Sequence, residues 1–211
     1  MDGVSAALGA GITAGQLSLF VGTMALAILS PGPAIIAASR SAASRGRHAS
    51  MPYAMGLAFG ASLWCAFALF GLTIAFRNFP SLYTAFKVAG GAYLVWIAVQ
   101  MVRHAADPLA MEGETVAGPG FAQGMALNLS NPKPALFYAG VIMSIFPALH
   151  GPSAGMIYAV ALSVEVTFYA IVTFLMATAP VRRGYGLART WIDRVAGGLI
   201  GVLGLSLIIR H

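Results

Sequence analysis

The sequence predicts an all-α membrane protein of about six transmembrane helices, arranged as two inverted three-helix repeats whose first and fourth helices are broken. Three observations carry this expectation. Apolar residues make up 59% of the chain and charged residues 9%, with mean hydropathy +0.83, whereas a soluble domain carries about 25% charged residues. The chain also repeats across its midpoint: Phe20, Met24, Ala25, Leu26, Pro31, Pro33 and Ala34 recur 101 positions later as Phe121, Met125, Ala126, Leu127, Pro132, Pro134 and Ala135. Finally, the repeat falls on helix breakers inside apolar sequence. Unwound backbone at membrane depth persists only where it lines a cavity, so matched Gly/Pro interruptions in two halves point to a transporter's central site.

Each span follows from an apolar run near the ~20 residues that cross about 30 Å of hydrocarbon. The runs lie near 13 to 38, 51 to 76, 81 to 102, 120 to 147, 153 to 178 and 189 to 209. The first lacks a basic leader and exceeds the length of a signal-peptide core, so it is expected to be retained. Gly56 and Gly60 in the second, and Gly197 and Gly201 in the sixth, form small-xxx-small faces suited to close helix packing. The third and sixth share an end signature. Lys87-Val88-Ala89-Gly90-Gly91 with Arg103-His104 returns 107 positions on as Arg194-Val195-Ala196-Gly197-Gly198 with Arg210-His211. Residues 1–104 thus form the first repeat, 105–118 a linker with Asp107, Glu112 and Glu114, and 119–211 the second repeat.

Orientation follows from the cations. Arg40, Arg45 and Arg47 follow span one, Arg103 ends span three, and Arg182, Arg183 and Arg189 follow span five, all on one side of the membrane. The other side shows Arg77 and Arg210. The positive-inside rule then makes both termini periplasmic, and three spans per half invert the second half relative to the first. The same distribution argues against nucleic acid, because the twelve Lys and Arg form no single basic face despite a pI near 9.9.

The candidate site begins at the two breaks. Ser30-Pro31-Gly32-Pro33 and Ser130-Asn131-Pro132-Lys133-Pro134 each remove two backbone donors, leaving carbonyls unpaired and opening a new half-helix whose N–H groups can receive an anion. A single such feature reads as a silent proline kink. Two at repeat-equivalent positions read as functional. Gln123, Asn128, Asn131 and Lys133 add polarity to an otherwise apolar span and need partners or water. Asn128 fits a helix-to-helix hydrogen bond as well as a substrate contact. Lys133 fits binding or counter-ion duty.

Glu165 reads as the only acidic residue deep in any span. Tyr158, Glu165, Tyr169 and Thr173 share one helical face by their spacing. Glu165 is therefore expected to couple transport to protons, to anchor a substrate amino group, or, structurally, to pair with Lys133. Trp64, Tyr93, Trp96 and Trp191 read as core or interface aromatics. Cys65 is the single cysteine, and His48, His104, His150 and His211 lie in loops or at the end, so neither a redox pair nor a metal site is expected.

Pro31-Gly32-Pro33, Arg45-Gly46, Gly56 with Gly60, Gly90-Gly91-Ala92-Tyr93-Leu94 and Asn131-Pro132-Lys133 together resemble the LysE/RhtB amino-acid exporter family, over nearly the whole chain. The resemblance implies a bacterial inner-membrane carrier that exports amino acids such as lysine, arginine, threonine, homoserine or leucine, driven by protons, with no cofactor. Many members carry a polar residue directly after the first motif, where this chain has Ala34. The expected substrate-binding or coupling residues are Pro31, Gly32, Pro33, Asn128, Asn131, Pro132, Lys133, Glu165 and Tyr169. The expected partners are an amino acid, protons and the lipid bilayer, with a homodimer left open. A related metal-ion or small-solute exporter and a non-transporting membrane scaffold are the alternatives. No enzyme is expected, since neither paired catalytic carboxylates nor an HExxH motif occurs.

Overall fold

Two proline-interrupted helices set the frame. The structure, a computed structural model, describes residues 12–30, 32–71, 80–106, 120–146 and 151–209, without the side chains of residues 80–87. Helix α1 (Ala14–Leu29) opens with Thr13, whose Oγ1 accepts the Gln16 N–H while Gln16 Oε1 accepts the Thr13 N–H, a reciprocal cap. It ends at Ser30, whose ψ of 126° turns the chain out of the helix. Helix α2 (Pro33–Arg45) then starts on proline, which fits a first turn because it has no donor to lose. The two axes differ by 61°. Gly46, with φ +77°, is the single hinge between α2 and α3 (Arg47–Ala66), which runs on through a π turn at Phe67–Gly71. That φ favours glycine.

Helix α4 (Pro80–Arg103) completes the first half. In the second, α5 (Phe121–Leu129) breaks at Ser130 and Asn131 before α6 (Pro132–Ile145), again begun by proline. Helices α7 (Pro152–Met176) and α8 (Ala179–Ile209) follow. Among the described residues there is no strand.

Glycines let backbones touch, as expected for helices packed in lipid. A Cβ on Gly56 would collide with the Phe121 carbonyl and one on Gly124 with that of Tyr53, while one on Gly60 would sit 2.6 Å from Met125 O. From Gly56–Phe121 to Gly60–Met125 the numbers rise together, so α3 and α5 run parallel. Helices α4 and α8 run antiparallel: a Cβ on Gly91 would lie 2.8 Å from Gly204 O, and one on Gly197 2.9 Å from Ala98 O. Phe20, Met24, Leu94, Tyr138, Val141, Ile157 and Ile200 fill the core between the halves, while Phe67, Trp96, Trp191 and Val202 face outward.

Among the described residues three helices are long and apolar enough to cross a membrane, Arg47–Gly71, Pro152–Met176 and Ala179–Ile209, and the bent α1–α2 pair, taken as one span, makes a fourth. Helix α4 offers only the shorter apolar stretch Val88–Arg103. Two expectations about loops are corrected. Arg40 and Arg45 lie within α2, and Arg182, Arg183 and Arg189 within the 31-residue α8, which starts ten residues before the apolar run. Charge ends the apolar stretch, but arginine and alanine are good helix formers and do not end the helix. Arg182 Nη1 donates to Met176 O at 2.7 Å, meeting an end carbonyl of α7. Arg77, His150, Arg210, His211 and most of the 105–118 linker lie outside the described residues.

Candidate functional site

The site is where the two breaks meet, and it starts as a question of backbone hydrogen bonds. In a continuous helix Leu29 O would receive the N–H of residue 33, which is proline and has none. Ser30 O would receive the Ala34 N–H, but the extended turn at Ser30 directs it away. Side chains from the second half supply the missing donors: Tyr185 OH bonds Leu29 O at 2.7 Å and Lys133 Nζ bonds Ser30 O at 3.1 Å. Ser30 Oγ in turn donates to Asp193 Oδ1 at 2.9 Å, and Asp193 Oδ2 pairs with Arg189 Nε at 3.3 Å.

Lys133 reaches the first break because Gly32 has no side chain. A Cβ there would lie 3.4 Å from both Cδ and Nζ of Lys133. Gly32 and Lys133 are equivalent positions of the repeat, 101 apart, so one lysine occupies the space that two equivalent side chains would contest. Asn131 caps α6 by accepting the Lys133 N–H at 3.0 Å. Its Nδ2 donates to Asn128 Oδ1 at 3.4 Å, and Asn128 Nδ2 donates to Leu57 O at 2.7 Å and Tyr169 OH at 3.3 Å.

Glu165 faces the same space from the middle of α7. Tyr138 OH donates to its Oε1 at 2.6 Å, whereas Oε2, on a residue only 4% exposed, has no hydrogen-bond partner among the described residues. The expected structural pair is therefore corrected: Lys133 meets Ser30 O and Glu165 meets Tyr138. A buried carboxylate oxygen without a donor is costly unless it carries a proton or receives a ligand's donor. Thr173, two turns along the same face, is buried with its hydroxyl likewise unpartnered.

Ser30, Asn128, Asn131, Lys133, Tyr138 and Glu165 line a cavity with about 450 Å³ of empty space counted out through its open mouth. Of the expected residues, Gly32, Asn128, Asn131, Lys133, Glu165 and Tyr169 line it, with Met24, Ile28, Ile35 and Phe137 as apolar wall. Pro33 and Pro132 open α2 and α6 without lining it. Pro31 lies outside the described residues. Gln123 belongs elsewhere: it is exposed and accepts the Gly120 N–H at the start of α5. Ala34 lines the cavity through an apolar methyl.

Sequence reasoning missed three residues. Tyr138 stands one turn past Pro134 on the same face of α6, a spacing that could have marked it. Ser30 was visible only as part of a break. Asp193, 3% exposed, is a second buried acidic residue, near the arginine-rich start of α8; its position one turn beyond Arg189 was the available signal.

Comparison with known proteins fits this geometry. The family model described as "LysE type translocator" matches residues 25–211, which include every residue of the cavity except Met24. The chain belongs to the LysE family. It is a membrane transport protein, not an enzyme. This LysE-family chain is 33% identical over 197 residues to the threonine efflux protein of Escherichia coli (strain K12), covering 88% of this chain and 94% of that protein. It is 34% identical over 194 residues to the threonine efflux protein of Salmonella typhi, with the same coverages. The leucine efflux protein of Klebsiella pneumoniae is 22% identical over 197 residues, 92% of each chain. No solved structure matches.

Proposed function

We infer that this protein exports amino acids across the bacterial inner membrane, coupled to protons, and that the zwitterion binds between the two helix breaks. The observation that carries the reading is Glu165 Oε2, without a partner among the described residues, in the largely apolar cavity between the breaks. A substrate ammonium supplies the donor that this oxygen lacks. A substrate carboxylate fits Lys133 and the first-turn amides of α2, where Gly32 provides no side-chain cap and no carbonyl within the helix can reach. Relatives named for threonine and leucine efflux point to the same class of solute. A metal-ion cargo is less well served: among the described residues no three His, Cys, Asp or Glu converge.

The inverted repeat is part of the proposal. What supports it is direction. Helices α3 and α5 run parallel while α4 and α8 run antiparallel, as three crossings per half require. Gln16 on α1 bonds Ile145 O at the far end of α6, and Ser30 meets Lys133 at its start, so these two spans oppose each other. Contact between the equivalents Gly32 and Lys133 fits a pseudo-two-fold axis passing between them. With the arginine-rich ends in the cytoplasm, both termini are periplasmic.

Inside-out vesicles with an imposed proton gradient and a panel of labelled amino acids test the function. Accumulation of a short neutral amino acid, lost in Glu165→Ala, is expected. Failure of every amino acid in the panel contradicts the reading. Impermeant thiol reagent on whole cells tests orientation in a Cys65→Ala background. Ala14→Cys should be labelled and Ser44→Cys spared.

A further inference from the structure

The contacts that hold the first break extend beyond the cavity. Tyr185, Arg189 and Asp193 stand on successive turns of α8, leading inward from Arg182 and Arg183, and Asp193 is the innermost. Tyr185 holds Leu29 O and Asp193 holds the Ser30 hydroxyl. The same part of α8 is pinned to the end of α4, through Arg189 Nη2 to His104 O at 3.0 Å and Thr190 Oγ1 to Ala105 O at 3.0 Å. The end of α1, the start of α8 and the end of α4 are thus tied together between the cavity and the arginine-rich face.

We propose that Asp193 is a positioning residue for transport, which latches the cavity shut toward the arginine-rich face by fixing Ser30 at the first break. Ser30 N–H still closes α1 on Leu26 O at 3.0 Å, whereas its carbonyl and hydroxyl are held by side chains of the second half, Lys133 and Asp193. Ser30 also lines the cavity and presents its carbonyl to Lys133; moving Ser30 away from Asp193 moves a wall of the binding space and frees the lysine together. The device is one-sided. At the 107-residue offset of the repeat, Asp193 corresponds to Phe86 and Tyr185 to Asn78, so the first half lacks the carboxylate that makes the latch. Arg189 stays charged and holds Asp193 as a carboxylate acceptor, which makes the Ser30 contact a hydrogen bond to a charged group rather than a neutral one.

The inference rests on the transport reading, but its test needs no transported solute. A cysteine is placed at Ala61, on the cavity wall, in a Cys65→Ala background, and the rate of modification by a charged impermeant thiosulfonate is measured from each face of reconstituted vesicles. Separate labelling of Ser44→Cys identifies the arginine-rich face. Asp193→Asn is expected to raise modification from that face about tenfold, the order expected when one hydrogen bond to a charged group is lost, with no rise from the opposite face. Ser30→Ala removes the same bond while leaving the Arg189–Asp193 pair intact, and it should act in the same direction should Asp193→Asn not fold. Unchanged rates, a rise from the opposite face, or an equal rise from both faces overturns the latch. Absence of amino-acid export by the parent chain would instead contradict the substrate reading and leave these rates unaffected.

Discussion

At the first break, the carbonyls of Leu29 and Ser30 are held by Tyr185 and Lys133, side chains from the other half of the chain. At the second, the turn has a cap of its own: Asn131 caps α6 and donates to Asn128, which reaches Leu57 O on α3 and Tyr169 on α7. Matched prolines produce both breaks, yet the partners differ. Ala27 stands where Asn128 stands, Ser30 where Asn131 stands, and Gly32 where Lys133 stands. The backbone pattern comes from local chemistry that duplication preserves, while the side chains that hold each break have diverged. The second break carries its own side-chain cap and also reaches Leu57 in the first half, whereas the carbonyls of the first break are held by side chains of the opposite half.

The largest effect is expected where the halves touch through backbone. Gly56→Val adds a branched side chain where even a Cβ meets the Phe121 carbonyl. Overpacking costs about 1–3 kcal/mol and more where backbone must move, so the folded yield should fall to near zero. Wild-type yield, read by gel filtration in detergent, would contradict the close α3–α5 approach.

Exchanging the two equivalents probes the pseudo-symmetry itself. Lys133→Gly leaves Ser30 O without its donor, and transport should drop at least tenfold, in line with about 1–3 kcal/mol for an unsatisfied buried group. Adding Gly32→Lys sends a lysine across the same axis from the other break. Partial recovery in the double variant is expected, measured as initial export rate at matched expression. A further loss would argue that the breaks are not interchangeable.

A smaller change is expected at Tyr138. Its hydroxyl orients Glu165 without closing off Oε2. Tyr138→Phe should raise the substrate concentration for half-maximal export several-fold and leave the maximal rate within about twofold. The reverse pattern would move Tyr138 from positioning the carboxylate to a direct part in transport.

Proline chemistry and the period of the repeat made both breaks legible in the sequence, together with Asn128, Asn131, Lys133 and Glu165, because each is a polar or helix-breaking residue in an apolar run. What remained hidden was partnership. Pairing Lys133 with Glu165 was reasonable from charge alone, but the freed carbonyl of Ser30 lies nearer the ammonium, and only the three-dimensional meeting of the breaks reveals it. Asp193 was hidden by its neighbours Arg189 and Arg194, which made that stretch read as the margin of a span. The early start of α8 was hidden because hydropathy reports the membrane and not the helix.

The most direct measurement is gradient-driven accumulation by Glu165→Gln, which keeps the shape of the side chain and the contact with Tyr138 while removing the charge. Inside-out vesicles carrying equal amounts of variant and parent protein would be loaded with a proton gradient and assayed with the amino acid that the parent transports. Accumulation should fall to the level of vesicles without transporter. Full accumulation by the variant would show that the buried carboxylate neither binds the substrate nor couples its movement.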